Sequence, residues 1–143
     1  PAYIRWPATI TPGSTIDQTA SHLDWFPTIL DIAGIDVRQD VKLRGRSILP
    51  LLRAESPEWP EDFFAEYQMP VDRSEGADMR SYQTRRWKLV RYLRNRRVDE
   101  FYDRLNDPDE RVNLIDSADA EVREAIDQLD AGLTAKMREI AAQ

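Results

Sequence analysis

The chain has 143 residues and a mass of 16.6 kDa, with a 41% hydrophobic share, enough for one ordinary globular domain with a core. Twenty Lys and Arg against 26 Asp and Glu leave a net charge of −6, which argues against a generally cationic nucleic-acid or bilayer-surface protein. No stretch approaches the roughly 18 uninterrupted apolar residues of a membrane helix. The lack of cysteine excludes disulfides, thiol nucleophiles, zinc-thiolate sites and iron-sulfur clusters, and the single histidine, His22, excludes any site needing two imidazoles.

The opening Pro1-Ala2-Tyr3-Ile4-Arg5-Trp6-Pro7 has no initiating methionine and reads as the interior of something longer. Ala2, Ile4 and Trp6 alternate with Tyr3 and Arg5, the period of a short strand bracketed by prolines. Thr11-Pro12-Gly13-Ser14 is turn chemistry. A helix follows, signalled by Ser21 and Asp24, with Asp24 the expected N-cap, Pro27 in the first turn and Gly34 as the stop. Its body carries Trp25, Phe26, Ile29, Leu30, Ile32 and Ala33 on nearly every side, interrupted only by Thr28 and Asp31. A helix apolar all round has to be covered on more than one face, so the first third reads as part of a bigger core.

Leu43-Arg44-Gly45-Arg46-Ser47 turns into an apolar plug, Ile48-Leu49-Pro50-Leu51-Leu52. Residues 54–79 then hold eight acids against the lone Arg73, as expected of a connecting surface segment around one short strand, Phe63 to Tyr67. Residues 80–97 reverse the sign, with eight Lys and Arg and no acid; Met79 to Leu93 reads as one or two strands. A hairpin partner is expected at Val98 to Tyr102, across the tip Arg94-Asn95-Arg96-Arg97. From about Asp119 a long amphipathic helix closes the chain, its stripe running through Val122, Ile126, Leu129, Leu133, Met137 and Ile140. Gly132 lies within it at a cost of about 1 kcal/mol relative to alanine.

The basic block admits two readings. Arginine forks with Trp87, Tyr82 and Tyr92 beside them suit an anion or nucleic-acid surface. The favoured reading pairs those arginines with Asp99, Glu100, Asp103 and the acids of the last helix, because opposite charge lies on both sides of the block. Asp103, Asp107, Asp109 and Glu110 lack the glycine and terminal glutamate of a calcium loop and read as a turn built on Asx side chains. His22 has no evident orienting partner, no serine sits in a G-x-S-x-G elbow, and no carboxylate pair stands out for acid/base work.

The order of motifs says more. The opening strand, the Pro12-Gly13-Ser14 turn and Ser21-His22-Leu23-Asp24-Trp25-Phe26-Pro27-Thr28-Ile29-Leu30-Asp31-Ile32-Ala33-Gly34 resemble the last strand and helix of the sulfatase catalytic domain. Gly45-Arg46-Ser47-Ile48-Leu49-Pro50-Leu51-Leu52 continues the likeness. Arg85-Arg86-Trp87-Lys88-Leu89-Val90 resembles the R-x-x-x-W-K-L strand region of the sulfatase C-terminal subdomain. The run from Glu100 to Leu114, through Tyr102-Asp103 and Asn106-Asp107-Pro108, is similar to its E-L-Y-D-L-x-N-D-P-x-E-x-x-N-L signature, with Arg104-Leu105 departing from the family's leucine and polar residue.

The resemblance implies an α+β chain. It joins the end of an α/β catalytic core, a strand plus a helix in residues 1–53, to a small antiparallel sheet packed against a long C-terminal helix in residues 54–143. It implies a sulfuric ester hydrolase as parent, using a formylglycine made in a C/S-x-P-x-R motif beside a calcium ion. Neither that motif nor the family's metal-binding Asp and Asn has a counterpart here, so no catalytic and no metal residue carries over, no cofactor is expected in this chain, and the separate chain is expected to be inactive. The implied partners are the N-terminal catalytic domain of the same enzyme and a second copy paired through the exposed strand, with no nucleic acid and no membrane. His22, Arg86 and Lys88 are the candidates for touching an anionic substrate at the cleft rim. Two alternatives stand beside this reading: a phosphodiesterase or phosphonate hydrolase of the same alkaline-phosphatase-like superfamily, and a stand-alone binding module for anionic saccharides.

Overall fold

The computed structural model describes residues 2–38, 40–69, 78–94 and 98–142, which gather into two compact units, Pro1–Pro60 and Glu61–Gln143. In the first unit, Ala2 to Trp6 pairs with no strand among the described residues. The alternation predicting a strand is present, but a strand exists only through a ladder partner, and this unit supplies none.

A 3-10 turn, His22–Asp24, leads directly into α1, Trp25–Ala33. Asp24 occupies the N-cap position of α1, as expected, but its side chain caps no amide of that helix. Because the helical run begins three residues before α1, Ser21 holds the capping position: its Oγ accepts from the Leu23 amide at 3.2 Å, and the Asp24 carboxylate accepts from the Ser21 amide at 2.6 Å. Gly34 ends α1 in the left-handed region at φ 65°, where a side chain is disfavoured.

Thr28 and Asp31, which interrupt the apolar pattern, prove to be the docking line of α1. Thr28 is 1% exposed; its hydroxyl donates to the Asp24 carbonyl at 2.5 Å and accepts from the Ile48 amide at 3.0 Å. The Arg46 amide donates to Asp24 Oδ1 at 2.8 Å, and the Ser47 hydroxyl donates to Asp31 Oδ2 at 2.7 Å. Positions 24, 28 and 31 share one helix face, so three polar side chains hold residues 46–48 against α1. Gly45 makes this possible: a Cβ there would run into the Leu23 carbonyl and the Asp24 amide nitrogen. The segment then closes into α2, Leu49–Leu52, with Pro50 in its first turn; Ile48, Leu51 and Leu52 form a small core with Ile10 and Trp59. Pro27 is buried with Thr28, but Trp25, Phe26, Ile29 and Ile32 are exposed, Phe26 to 55% and Ile29 to 59%.

The second unit is a four-stranded antiparallel sheet in the order β1-β2-β3-β4, comprising β1 Phe63–Gln68, β2 Asp78–Gln83, β3 Trp87–Tyr92 and β4 Glu100–Asp103. Phe64, Tyr82, Leu89 and Phe101 pair across it in register, forming one row on one face. Against that face packs α3, Ala120–Ala141, through Val122, Ala125, Ile126, Leu129 and Leu133. This is the predicted stripe from Val122 to Met137, with Ala125 added and Ile140 outside the packed cluster, and Asp119 caps the helix, accepting from the Val122 amide at 3.1 Å. Leu89 and Phe101 are fully buried at its centre, and Trp87 stacks on Phe101 with ring centroids 5.2 Å apart.

The hairpin partner begins at Glu100, two residues later than its pattern suggests. The buried Asp99 carboxylate takes the Tyr92 amide at 2.7 Å, so a side chain replaces the first ladder bond. The expected tip residues Asn95 to Arg97 lie outside the described residues. The free edge of β4 is covered: Asn113 Oδ1 accepts from the Phe101 amide at 2.9 Å, its Nδ2 donates to the Asp99 carbonyl at 3.1 Å, and the Leu114 amide donates to the Phe101 carbonyl at 2.7 Å. That pairing occupies an edge that could otherwise recruit another strand. No described helix is long and apolar enough to cross a membrane.

Candidate functional site

The charges of the basic strand are directed at carboxylates. Arg86, just before β3, donates from Nε and Nη2 to Asp103 Oδ2 at 3.1 and 3.0 Å, and from Nη1 to Glu121 Oε1 at 2.6 Å. Its guanidinium lies over the Trp87 ring, 4.1 Å from the centroid. The bonds from Asp103 and then Glu121 hold Arg86 protonated above its ordinary range. Burial alone would raise the Asp103 pKa, but Arg86 and the side chain and amide of Asn106 outweigh it and hold that carboxyl below its usual value.

Lys88 ion-pairs with Glu110 and sits 5.9 Å from the centroid of Tyr102, while Arg104 reaches the other Glu110 oxygen at 3.3 Å. Leu105, the second residue of the departure from the family pattern, is left exposed. Arg91 donates from Nε to Asp130 at 2.7 Å and from Nη1 to Asp99 at 2.9 Å. Burial works against the Arg91 charge, and those two carboxylates more than restore it. Arg80 pairs with Asp78 at 2.7 Å and Glu66 at 3.1 Å. Lys88 and Arg80 find Glu110, Asp78 and Glu66, which the favoured sequence reading does not name; of the acids it names, Asp99 and Asp103 and, on α3, Glu121 and Asp130 receive Arg91 and Arg86. Glu100 is the exception, since its two oxygens accept from the hydroxyls of Tyr92 and Tyr102, each at 2.9 Å.

The Asp103 to Asp109 run is the predicted Asx turn. Asp103 Oδ1 accepts from the amides of Leu105 and Asn106 at 3.2 and 3.3 Å, and Asp107 Oδ2 accepts from the Val112 amide at 2.8 Å. Among the described residues no group of three His, Cys, Asp or Glu is arranged to hold a metal ion.

The three candidate residues fall in different units. Arg86 and Lys88 flank Trp87 in the second unit and are engaged by carboxylates; His22 belongs to the first unit, exposed in the 3-10 turn, with no hydrogen bond or ion pair to its ring among the described residues. A cation that the sequence did not single out is placed differently. Arg46 lays its guanidinium over the Trp59 ring at 5.3 Å, and Trp59 Nε1 donates to the Thr19 carbonyl at 2.8 Å. The arginine-flanked Gly45 is the signal in the sequence; the partner ring, thirteen residues after Arg46, is not visible from spacing.

Comparison with known proteins follows the same outline. The profile of the family described as N-sulphoglucosamine sulphohydrolase, C-terminal, matches residues 1–141. The chain is 31% identical over 125 residues to N-acetylglucosamine-6-O-sulfatase of Bacteroides thetaiotaomicron, covering 83% of this chain and 22% of that protein. It is 36% identical over 67 residues to human steryl-sulfatase, covering 47% and 12% respectively. Among solved structures, one in complex with its substrate D-glucosamine-2-N,6-O-disulfate superposes with a TM-score of 0.80 at 25% identity, over 97% of this chain and 28% of that one. A 2-O glycosaminoglycan sulfatase superposes with a TM-score of 0.67 at 27% identity, over 81% and 24%. The chain therefore spans about an eighth to a quarter of the length of the proteins it matches.

Proposed function

The chain belongs to the N-sulphoglucosamine sulphohydrolase C-terminal family, and from that premise we propose that it is the closing portion of a sulfatase, seated on an N-terminal catalytic domain of the same polypeptide. The family match across residues 1–141 carries this reading. The physics of the first unit supports it. The outward apolar side of α1 and a groove of about 350 Å³ between Ile4–Trp6 and that helix, lined also by Trp25, Ile29 and Leu52, are surfaces that a larger core would cover. In this reading residues 1–53 complete the catalytic α/β domain, with Ala2 to Trp6 joining its sheet, and residues 54–143 form the C-terminal subdomain. The compact units divide within the acidic connecting segment that follows Arg53.

The parent hydrolyses a sulfate ester of a saccharide, a substrate class supported by the named relatives and by the sugar in the superposed structure. Those relatives are sulfatases, which supports sulfate over phosphate chemistry for the parent. Its calcium ion and formylglycine belong to the remainder of the polypeptide. This chain does not fit them, having no cysteine, no Ser-x-Pro-x-Arg and no metal-holding cluster among the described residues, and no catalytic step is assigned to it. The ion pairs of Arg86 and Arg91 then serve as brackets between the sheet and α3, and that of Lys88 ties β3 to the loop at Glu110.

Expression of the complete open reading frame, assayed on N-acetylglucosamine 6-sulfate and an aryl sulfate, tests the reading. We expect the complete protein to release sulfate and the 143-residue chain alone to release none. Hydrolysis at enzymic rate by the isolated chain, or turnover of phosphate esters alone by the complete protein, would overturn it.

A further inference from the structure

Most cations fixed in this structure are already spent on carboxylates, as Arg80, Arg86, Lys88 and Arg91 show. Arg46 is fixed without being spent. Its backbone is tied through the amide to Asp24, its neighbour Gly45 is wedged against the backbone of Leu23 and Asp24, and its guanidinium rests on Trp59. Trp59 is held in turn by the Thr19 carbonyl. Among the described residues no hydrogen bond or ion pair uses the guanidinium of Arg46, and the residue is exposed.

Two carboxylates of the α1 docking line are engaged by other donors: Asp24 by the amides of Ser21 and Arg46, and Asp31 by the Ser47 hydroxyl. A guanidinium that stacks on an indole keeps its in-plane N–H fork free, and the fork matches two oxygens of one oxyanion. Stacking also removes part of the rotamer entropy that ligand binding would otherwise have to offset. Arg44 on the other side of Gly45 and His22 in the adjoining 3-10 turn are exposed as well, so further cationic or donor groups lie at the same end of α1.

We propose that Arg46, posed on Trp59, is an oxyanion receptor that takes a sulfate group of a saccharide ligand, with Arg44 and His22 at the same end of α1 as further donors. The ligand class rests on the sulfatase reading above; the receptor geometry does not. The site differs from the basic strand, which the ion pairs close off.

The test uses the complete protein and 6-deoxy-6-sulfo-N-acetylglucosamine, a sulfonate whose C–S bond cannot be hydrolysed, with N-acetylglucosamine as the uncharged control. Titration calorimetry at low and high salt reads affinity, and thermal unfolding of the same samples reads stability. Arg46→Ala should weaken sulfonate binding about tenfold, the equivalent of about 1.4 kcal/mol, and leave the uncharged sugar unchanged. Arg46→Lys should recover part of the loss, since a point charge replaces the fork. Arg53→Ala, which removes an exposed arginine that stacks on no ring, should have no effect. No saturable sulfonate binding by the unmodified protein, or unchanged affinity in Arg46→Ala, overturns the proposal. A fall in unfolding temperature at unchanged affinity would identify a carboxylate of the same polypeptide as the occupant and overturns it too. Failure of the sulfatase reading is separate: it appears as absent sulfate release while Arg46-dependent binding persists.

Discussion

Replacing Gly132 by alanine sets two physical effects of opposite sign against each other. On helix propensity alone Gly132→Ala should stabilise α3 by about 1 kcal/mol. The packing says otherwise. A Cβ at Gly132 would lie 2.5 Å from Tyr82 Cε1, 2.8 Å from Cζ and 3.1 Å from the hydroxyl oxygen, inside van der Waals contact. The ring belongs to the row facing α3, and its hydroxyl donates to Asp62 Oδ2 at 3.0 Å, so it can retreat only by giving up that bond. Overpacking of this kind costs about 1–3 kcal/mol, and a hydrogen bond to a charged group contributes about 1.5–3 kcal/mol. Allowing for partial exposure and the propensity gain, we expect Gly132→Ala to destabilise the second unit by about 1–2 kcal/mol. Urea unfolding followed by circular dichroism at 222 nm, where α3 dominates, measures it. In a Tyr82→Leu background the ring is gone, and the same substitution should stabilise by up to about 1 kcal/mol. Stabilisation of the otherwise unmodified chain by Gly132→Ala would refute the reasoning.

Thr28→Val keeps the shape of a buried residue but leaves the Ile48 amide without its acceptor, so a loss of about 1–3 kcal/mol is expected in thermal or urea unfolding; a neutral result would mean that the amide finds another partner. The Asp103 carboxyl titrates below the ordinary 3.8, so its contribution to stability is fully present above that value and is lost as pH falls through the lowered one. Asp103→Asn should therefore flatten the acid limb of the stability curve, and an unchanged limb would contradict the assignment. Burial, followed by the bond to Asp62, pushes Tyr82 up to about 12, and burial, followed by Glu100, does the same for Tyr102. Stability linked to these phenols is present below pH 10 and disappears as pH rises toward 12. Ultraviolet titration near 295 nm should show a late ionising phase that shrinks in Tyr82→Phe; a single transition near 10 would count against it.

The two ends of the chain differ in how far local pattern reaches. In the second unit, α3, its Asp119 cap and the alternating strands are visible as periodicity, because each element buries one face against a partner within the same unit and its side chains carry that one-sidedness. In the first unit the pattern is present and its meaning is not. Ala2 to Trp6 alternates like a strand without a ladder partner, and α1 carries apolar side chains that this unit leaves uncovered.

The candidate site divided along the same line. Composition directs the basic block to neighbouring acids, and Arg80, Arg86, Lys88 and Arg91 follow it, while the exposed Arg85 and Arg94 make no ion pair among the described residues. Which cation stays available depended on contacts between residues distant in sequence. Arg46 meets Trp59 only because Gly45 admits the backbone of Leu23 and Asp24, and Gly132 gives room to a tyrosine fifty positions earlier. The strands and helix of the second unit and the sign of the surrounding charge are properties of short windows and can be read from them. Which donors are engaged and which glycines are required follows from steric exclusion and hydrogen-bond pairing among atoms that local spacing does not bring together.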